Sequence, residues 1–397
     1  MNYAGVKDIG VAGKRVLVRV DFNVPLDKGQ VTDDLRLRAA LRTINYLRGA
    51  RARVILLSHL GRPDGQVKPE FSLRPVQAAL AALLDAPVAF VPDCVGSIVE
   101  QAVAELEESQ VLLLENLRFH PEEEKNNPEF AALLARLGDV YVNDAFGCAH
   151  RAHASTQALP QCMPVVAAGF LMEKELHFLG QSLQEPQRPF TAVLGGAKIS
   201  GKIDVIQNLF DRVDNILIGG GMMYTFLKAQ GYEIGASILE KDRVEMSQEI
   251  LRQAQKRQVK LELPVDTLVA ESLDATTVKI CPVTEIPAGW FGVDIGPATI
   301  EHYGSIIRHS RTLLWNGPMG IFEKKQFASG TFAMAEAAAE MTAAGGISII
   351  GGGDSAAAVL QSGQADRITH ISTGGGASLE FLEGKKLPGV EALKRPW

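Results

Sequence analysis

The chain has 397 residues, 46% of them hydrophobic, and a formal net charge of −6. That length supports two domains at roughly 100–200 residues each, and the apolar fraction supports a core in each. The acidic balance argues against nucleic acid or an anionic membrane as the main partner, and it admits an anionic small molecule only where cations gather locally.

In the first half, strand-like apolar runs alternate with helix-length segments, and each run ends in a polar cluster. Val16-Leu17-Val18-Arg19-Val20 runs into Asp21-Phe22-Asn23, followed by a helical segment over 32–47. Val54-Ile55-Leu56-Leu57 runs into Ser58-His59-Leu60-Gly61-Arg62, followed by one over 73–84. Val111-Leu112-Leu113-Leu114 leads to Glu115-Asn116-Leu117-Arg118 and a segment over 128–137. Val140-Tyr141-Val142 leads to Asn143-Asp144 and on to His150-Arg151-Ala152-His153. This alternation predicts a parallel sheet with helices on both faces, and such sheets bind ligands outside the carboxyl ends of their strands. Asp21, Asn23, Arg36, His59, Arg62, Arg118, His150, Arg151 and His153 would then share one basic rim, suited to a compact anion because guanidinium forks match carboxylate and phosphate. Taken singly, each arginine reads as a surface ion-pair partner; clustering at four successive strand exits favours a site. Asp21 either pairs with one of the arginines or takes a substrate hydroxyl.

Over 170–184 the apolar residues Met172, Leu176, Leu179 and Leu183 fall at helical spacing, and Glu185-Pro186-Gln187-Arg188-Pro189 stops that helix. The cluster chemistry changes at the same place, so the domain boundary is expected there; the alternative is an ordinary helix and loop inside one large domain.

Beyond it the clusters carry glycine. Val193-Leu194 leads into Gly195-Gly196-Ala197-Lys198, and Ile216-Leu217-Ile218 into Gly219-Gly220-Gly221. Ile349-Ile350 leads into Gly351-Gly352-Gly353-Asp354, and the segment 348–360 reads strand, turn, helix. Bare N–H groups at such a helix start form an anion site, unless Asp354 or Ser355 merely caps the helix. Two phosphate motifs nearly fit. Gly351-Gly352-Gly353-Asp354-Ser355-Ala356 satisfies the dinucleotide fingerprint, but the next strand, around Ile371, ends without the acid that would hold a ribose. Gly196-Ala197-Lys198-Ile199-Ser200-Gly201-Lys202 is one residue short of a P-loop and has Ile203 where a Mg²⁺-binding hydroxyl belongs. A dehydrogenase and a P-loop ATPase are both disfavoured. Lys198 and Lys202 remain, sharing one face if the helix has begun by Lys198, and able to reach phosphates as point charges. After Leu313-Leu314-Trp315, the irregular exit Asn316-Gly317-Pro318 leads to Glu323, an acceptor for sugar hydroxyls.

Cys94, Cys148, Cys162 and Cys281 are scattered, with no metal-ligand or redox spacing, as expected of free thiols in a reducing cytosol. No leader pattern opens the chain and no run approaches the ~18 apolar residues of a membrane span, so a cytoplasmic protein is expected rather than a periplasmic anion-binding one.

The order of these motifs resembles the phosphoglycerate kinases. The resemblance rests on Arg15-Val16-Leu17-Val18-Arg19-Val20-Asp21-Phe22-Asn23-Val24-Pro25, Ser58-His59-Leu60-Gly61-Arg62-Pro63, Asn143-Asp144-Ala145-Phe146-Gly147 with His150-Arg151-Ala152-His153, Gly195-Gly196-Ala197-Lys198, Trp315-Asn316-Gly317-Pro318, Gly351-Gly352-Gly353-Asp354 and Ser372-Thr373-Gly374-Gly375-Gly376, spanning nearly the whole chain. Cys148 departs from the small hydroxylated or aliphatic residue usual in the family, which implies added oxidation sensitivity. The resemblance implies an α/β protein of two Rossmann-like lobes, each a parallel sheet with helices on both faces, separated by a deep cleft. Residues 1–170 would bind the triose, 171–189 would form an interdomain helix and hinge, 190–376 would bind nucleotide, and 377–397 would pack back on the first lobe. It implies reversible phosphoryl transfer from 1,3-bisphosphoglycerate to MgADP, in a monomer. Asp21, Phe22, Asn23, Arg36, His59, Leu60, Gly61, Arg62, Arg118 and Arg151 would hold 3-phosphoglycerate. Gly195, Lys202, Gly219, Gly292, Asn316, Glu323, Gly351, Gly352, Gly353, Asp354 and Ser355 would hold ADP or ATP, with Asp354 reaching Mg²⁺. Arg36, Lys198 and Gly353 would stabilise the phosphoryl group in transfer. The acceptor is a carboxylate, already ionised, so the chemistry reduces to alignment and charge stabilisation without a base.

Overall fold

The computed structural model describes residues 3–181, 183, 185–275 and 277–394. The chain divides into two compact units, Met1–Leu176 with Lys386–Trp397, and His177–Lys385.

The first unit is built on a six-stranded parallel sheet: β1 (Arg15–Arg19), β2 (Arg53–Leu57), β3 (Val88–Val91), β4 (Val111–Leu114), β5 (Val140–Asn143) and β6 (Val166–Ala168). Their spatial order is β3-β4-β2-β1-β5-β6. Sheets covered on both faces read as continuous apolar runs rather than alternating ones; β4 and β5 are buried at every position. The predicted segments become helices Leu35–Gly49 (α1), Arg74–Leu84 and Pro128–Ala135. Leu37, Ile44 and Leu47 of α1 pack with Val16, Val18, Val54 and Leu56 in the core. The chain moves to one side of β1 for β2, β3 and β4, then crosses to the other side for β5. The exits of β1 and β5 therefore flank the switch point where ligands enter such sheets.

In the second unit β7 (Phe190–Leu194), β8 (Asn215–Ile218) and β9 (Lys260–Glu262) precede a small antiparallel sheet of β10 (Asp266–Ala270), β11 (Val278–Pro282) and β12 (Phe291–Ile295). The main sheet then resumes with β13 (Thr312–Asn316), β14 (Ile347–Gly351) and β15 (His370–Ile371), giving the parallel order β9-β8-β7-β13-β14-β15. Its switch point lies between β7 and β13.

The boundary differs from the expected one. Helix α2 (Phe170–Leu176) belongs to the first unit and continues as a wider π-helical turn, His177–Gln181, in the second. Positions 182 and 184 of the expected hinge helix lie outside the described residues, as do 395–397 of the expected tail. Residues 377–385 belong to the second unit, so only Lys386 onward joins the first. The reason is helix Gly376–Leu382, whose Leu382 carbonyl accepts from Asn208 Nδ2 at 2.6 Å. Among the described residues no helix is long and apolar enough to cross a membrane.

Candidate active site

On the first unit, the exits of β1, β2, β4 and β5 supply the predicted cations. Arg36 on the first turn of α1 meets Asp21 at 3.0 Å and donates to the Asn23 carbonyl at 3.0 Å. Asn23 Oδ1 accepts from the Gly61 N–H at 2.9 Å, and Arg118 Nη1 donates to the Gly61 carbonyl at 2.8 Å. Three strand exits are thus tied together. Of the two alternatives for Asp21, the structure shows the arginine partner. Arg62 is exposed and Arg151 half-buried, its Nε donating to His150 Nε2 at 3.2 Å. Phe22 and Leu60 turn their side chains into the core, so only their backbone faces the rim; the Phe22 N–H already donates to Ser58 Oγ at 2.9 Å.

Arg19 is not among the predicted rim residues, because a single arginine at the end of an apolar strand carries no spacing signal. It is buried, 3.2 Å from His59 Nδ1, and held by Ser155 Oγ at 2.8 Å. Ser155 in turn donates to the buried Glu123. Because a guanidinium only donates, Nδ1 of His59 accepts and the neutral ring carries its proton on Nε2. Burial, then Arg19, Arg118, Arg151 and Arg36, lower the His59 pKa well below its ordinary value. The same forces, burial first and then Arg118, Arg19 and Arg151, bring His153 down to about 3, so its 4.0 Å approach to Glu123 is not an ion pair. Arg118 is itself lowered by burial. Burial first, and then arginines that outnumber their partners Asp21 and Glu124, keep His59 and His153 neutral, a field whose sign favours an anion. Cys148 is buried 3.9 Å from His59 Nδ1, and burial pushes its thiol up to about 11. A thiol kept protonated is a poor nucleophile, which argues against the oxidation sensitivity expected of it.

On the second unit two adjoining cavities, each of about 350 Å³, open at the switch point. One is lined by Tyr224, Ile238, Phe291, Val293, Met319 and Ile321 together with Gly292 and Glu323. The other is lined by Gly195, Lys198, Lys202, Asn316, Gly352, Gly353 and Ser355. Gly196, Ala197, Pro318 and Asp354 line both. At Gly195 a Cβ would overlap the Pro318 carbonyl, so only glycine lets these two strand exits approach. Gly352 has φ +92° and starts helix α4 (Gly353–Gln361) with no side-chain cap. The alternative in which Asp354 or Ser355 caps that helix does not hold: Ser355 Oγ accepts from Gly317 N at 2.6 Å. Its first N–H groups are left facing the cavity.

Three expectations change. Helix α3 (Ile203–Leu209) begins after Lys202, so Lys198 and Lys202 share a loop around the cavity rather than a helix face. Gly219 lines neither cavity and is packed against the Met319 side chain; Gly220 and Gly221 line the first cavity instead. Gly351 stays inside β14, its carbonyl accepting from Asn316 Nδ2 at 2.9 Å. Burial brings Lys202 down to about 8, with Asp354 and Glu383 opposing. Asp294, unforeseen, forms the buried floor of the first cavity; burial pushes it up to about 7, against hydrogen bonds from Gly330 and Ile295 N–H. Its place at the end of β12, before Gly296-Pro297, was the available signal.

The phosphoglycerate kinase family profile matches residues 6–385. Similar relatives include a phosphoglycerate kinase of Chlorobium phaeovibrioides, 57% identical over 99% of this chain and 100% of the relative. One of Chlorobaculum tepidum is 56% identical over the same shares. Among solved structures, phosphoglycerate kinase from Coxiella burnetii superposes with TM-score 0.91 at 39% identity, and that from Pyrococcus horikoshii with 0.84 at 33%, each covering 98% of both chains. The arginine-lined rim and the paired cavities sit in a chain that belongs to the phosphoglycerate kinase family.

Proposed function

We infer that the first unit holds the triose acid and the second the nucleotide while a phosphoryl group passes between them. The reaction is that of the family, reversible transfer from 1,3-bisphosphoglycerate to ADP giving 3-phosphoglycerate and ATP in glycolysis. The observation that carries the assignment of units is the pair of adjoining cavities on the second one. An apolar chamber with Glu323 at hand suits a base and ribose, and a chamber of glycine N–H groups with Lys198 and Lys202 suits phosphates. The arginine rim is too polar for a base and suits a carboxylate and one phosphate.

On this reading Arg36, Arg62, Arg118 and Arg151 orient the triose, and neutral His59 contributes a hydrogen bond from Nε2 without charge. Asp21 holds Arg36 in place. No proton has to be moved, because the attacking group is a carboxylate. Lys198, Arg36 and the N–H of Gly353 stabilise the charge of the group in transfer. Asp354, the carboxylate common to both cavities, offers the hard oxygen that Mg²⁺ takes alongside phosphate oxygens. Magnesium bound there neutralises phosphate charge. The four free cysteines suit a reducing cytoplasm, and the chain is taken to act as a monomer without nucleic acid or membrane partners.

The test is ATP-dependent turnover of 3-phosphoglycerate, followed through coupled NADH oxidation. Lys198→Ala is expected to bind nucleotide near normally and lose ~10²–10³-fold in kcat, the scale of one preorganised anion donor. Unchanged turnover in that variant would remove the role given to Lys198.

A further inference from the structure

We propose that Asp93, Cys94 and His120 form a binding site for a zinc-type divalent ion on the first unit, separate from the nucleotide's magnesium. One ligand atom from each lies within 4.8 Å of the other two, and His120 Nε2 stands 2.7 Å from Asp93 Oδ1. The cluster follows from topology. Neighbouring parallel strands β3 and β4 end on the same rim; Asp93 and Cys94 follow the first, and His120 follows the second after one short turn.

The donor set is a thiolate, an imidazole and a carboxylate, the combination zinc takes with a fourth position left to water. Tetrahedral bonds of about 2.0–2.3 Å place ligand atoms about 3.3–3.7 Å apart, so closing the site needs only small side-chain movements. The His120 ring stacks on Phe130 with centroids 5.2 Å apart, which holds its plane. Asp93 and His120 keep 43% and 28% of their side chains exposed, giving an ion a way in, while Cys94 is buried. Binding releases the Cys94 thiol proton to solvent and displaces the Nε2 proton that His120 donates to Asp93, the neutral ring keeping one proton on Nδ1 so that Nε2 presents its lone pair to the ion.

The surrounding field has the right sign. Beyond burial, the charges that hold the Cys94 thiol protonated are Asp93, Glu123 and Glu115, all carboxylates and all favourable to a cation. The other trio of comparable spacing, Asp21, His59 and Cys148, is ringed by Arg19, Arg36, Arg118 and Arg151 and repels one.

The full chain, free of any affinity tag and stripped with a chelator, is titrated with Zn²⁺ against a chromophoric chelator and, separately, with Co²⁺. One equivalent is expected to bind, with thiolate-to-cobalt charge-transfer absorption. Cys94→Ala should abolish that absorption. Cys94→Ala and His120→Ala should each weaken Zn²⁺ binding by at least ~100-fold, more than loss of an outer partner costs, whereas Cys148→Ala should retain both signals. No binding tighter than about 1 mM overturns the proposal, as does absorption that survives Cys94→Ala or vanishes in Cys148→Ala. His120→Ala alters a partly exposed side chain and decides the matter if the cysteine variant does not fold: undiminished affinity there also overturns it.

Discussion

Lys202 is a cation that the fold makes expensive, and a bound phosphate would offset that cost. Burial brings the ammonium down to about 8, with Asp354 and Glu383 pulling the other way. A phosphate bound beside it would favour the protonated form, so on this assignment nucleotide binding above pH 8 takes up a proton. Affinity should then fall as pH rises past about 8, by a factor approaching ~10 per pH unit. Calorimetry of ADP binding without the triose checks this. The wild-type slope should vanish in Lys202→Met, whose affinity should be lower throughout; a flat wild-type profile from pH 7 to 9.5 would count against Lys202 as a phosphate ligand. The chemistry of this loop was legible in the residue types Gly195-Gly196-Ala197-Lys198, but its geometry was not. Spacing of four would put Lys198 and Lys202 on one face only if the helix had begun by Lys198, whereas Gly196 takes φ +102° and helix α3 waits until Ile203. Arg19 was invisible for the opposite reason: a buried arginine within an apolar run looks like an interruption until its partners, Ser155 and His59, are brought beside it.

At the scale of elements, one buried carboxyl group ties the exit of β5 to the start of α2. Asp144 Oδ1 accepts from the Leu171 and Met172 N–H groups at 2.8 and 3.2 Å, satisfying the start of the helix, and a Cβ on Gly169 would overlap it. Asp144→Ala should cost about 1–2 kcal/mol in denaturant unfolding, the usual worth of such a cap. The pH dependence runs against the common acid-labile pattern. Burial raises this carboxyl from 3.8 to about 6 in the folded chain. The folded state therefore holds the proton more tightly, and the contribution, present below about 4, is lost as pH rises to about 6, by at most ~3 kcal/mol. Asp144→Asn keeps the acceptor and removes the ionisation, so its melting temperature relative to wild type should climb between pH 4 and 7. A constant difference across that range would contradict a buried titrating cap. The parallel strands of both units could be read from sequence because strands buried on both faces are unbroken apolar runs. The antiparallel sheet β10–β12 could not: β11 is largely exposed and lacks a clear period, yet β12 brings Phe291, Gly292, Val293 and Asp294 to the cavity.

For the molecule as a whole, the chain passes from one unit to the other twice, between Leu176 and His177 and between Lys385 and Lys386. Any relative motion of the units would be borne at these two crossings, the first of which falls inside the expected hinge over 171–189. The chemistry supplies a reason for motion. Phosphoryl transfer needs reacting atoms about 3–3.5 Å apart, while water, always present, competes as acceptor for the activated phosphate. A clamp of Arg36 from one unit and Lys198 from the other, complete only when both substrates are seated, would exclude that side reaction by making closure a condition of catalysis. Small-angle scattering tests this directly, using 3-phosphoglycerate with a non-transferable ATP analogue. The radius of gyration should fall when both ligands are present, and less with either alone. Altering the crossing at Lys385 should blunt the change while leaving the affinity for each single ligand intact, because the residues proposed for each ligand belong to one unit. An unchanged radius with both ligands bound would reject closure and require the reacting groups to meet in the resting arrangement.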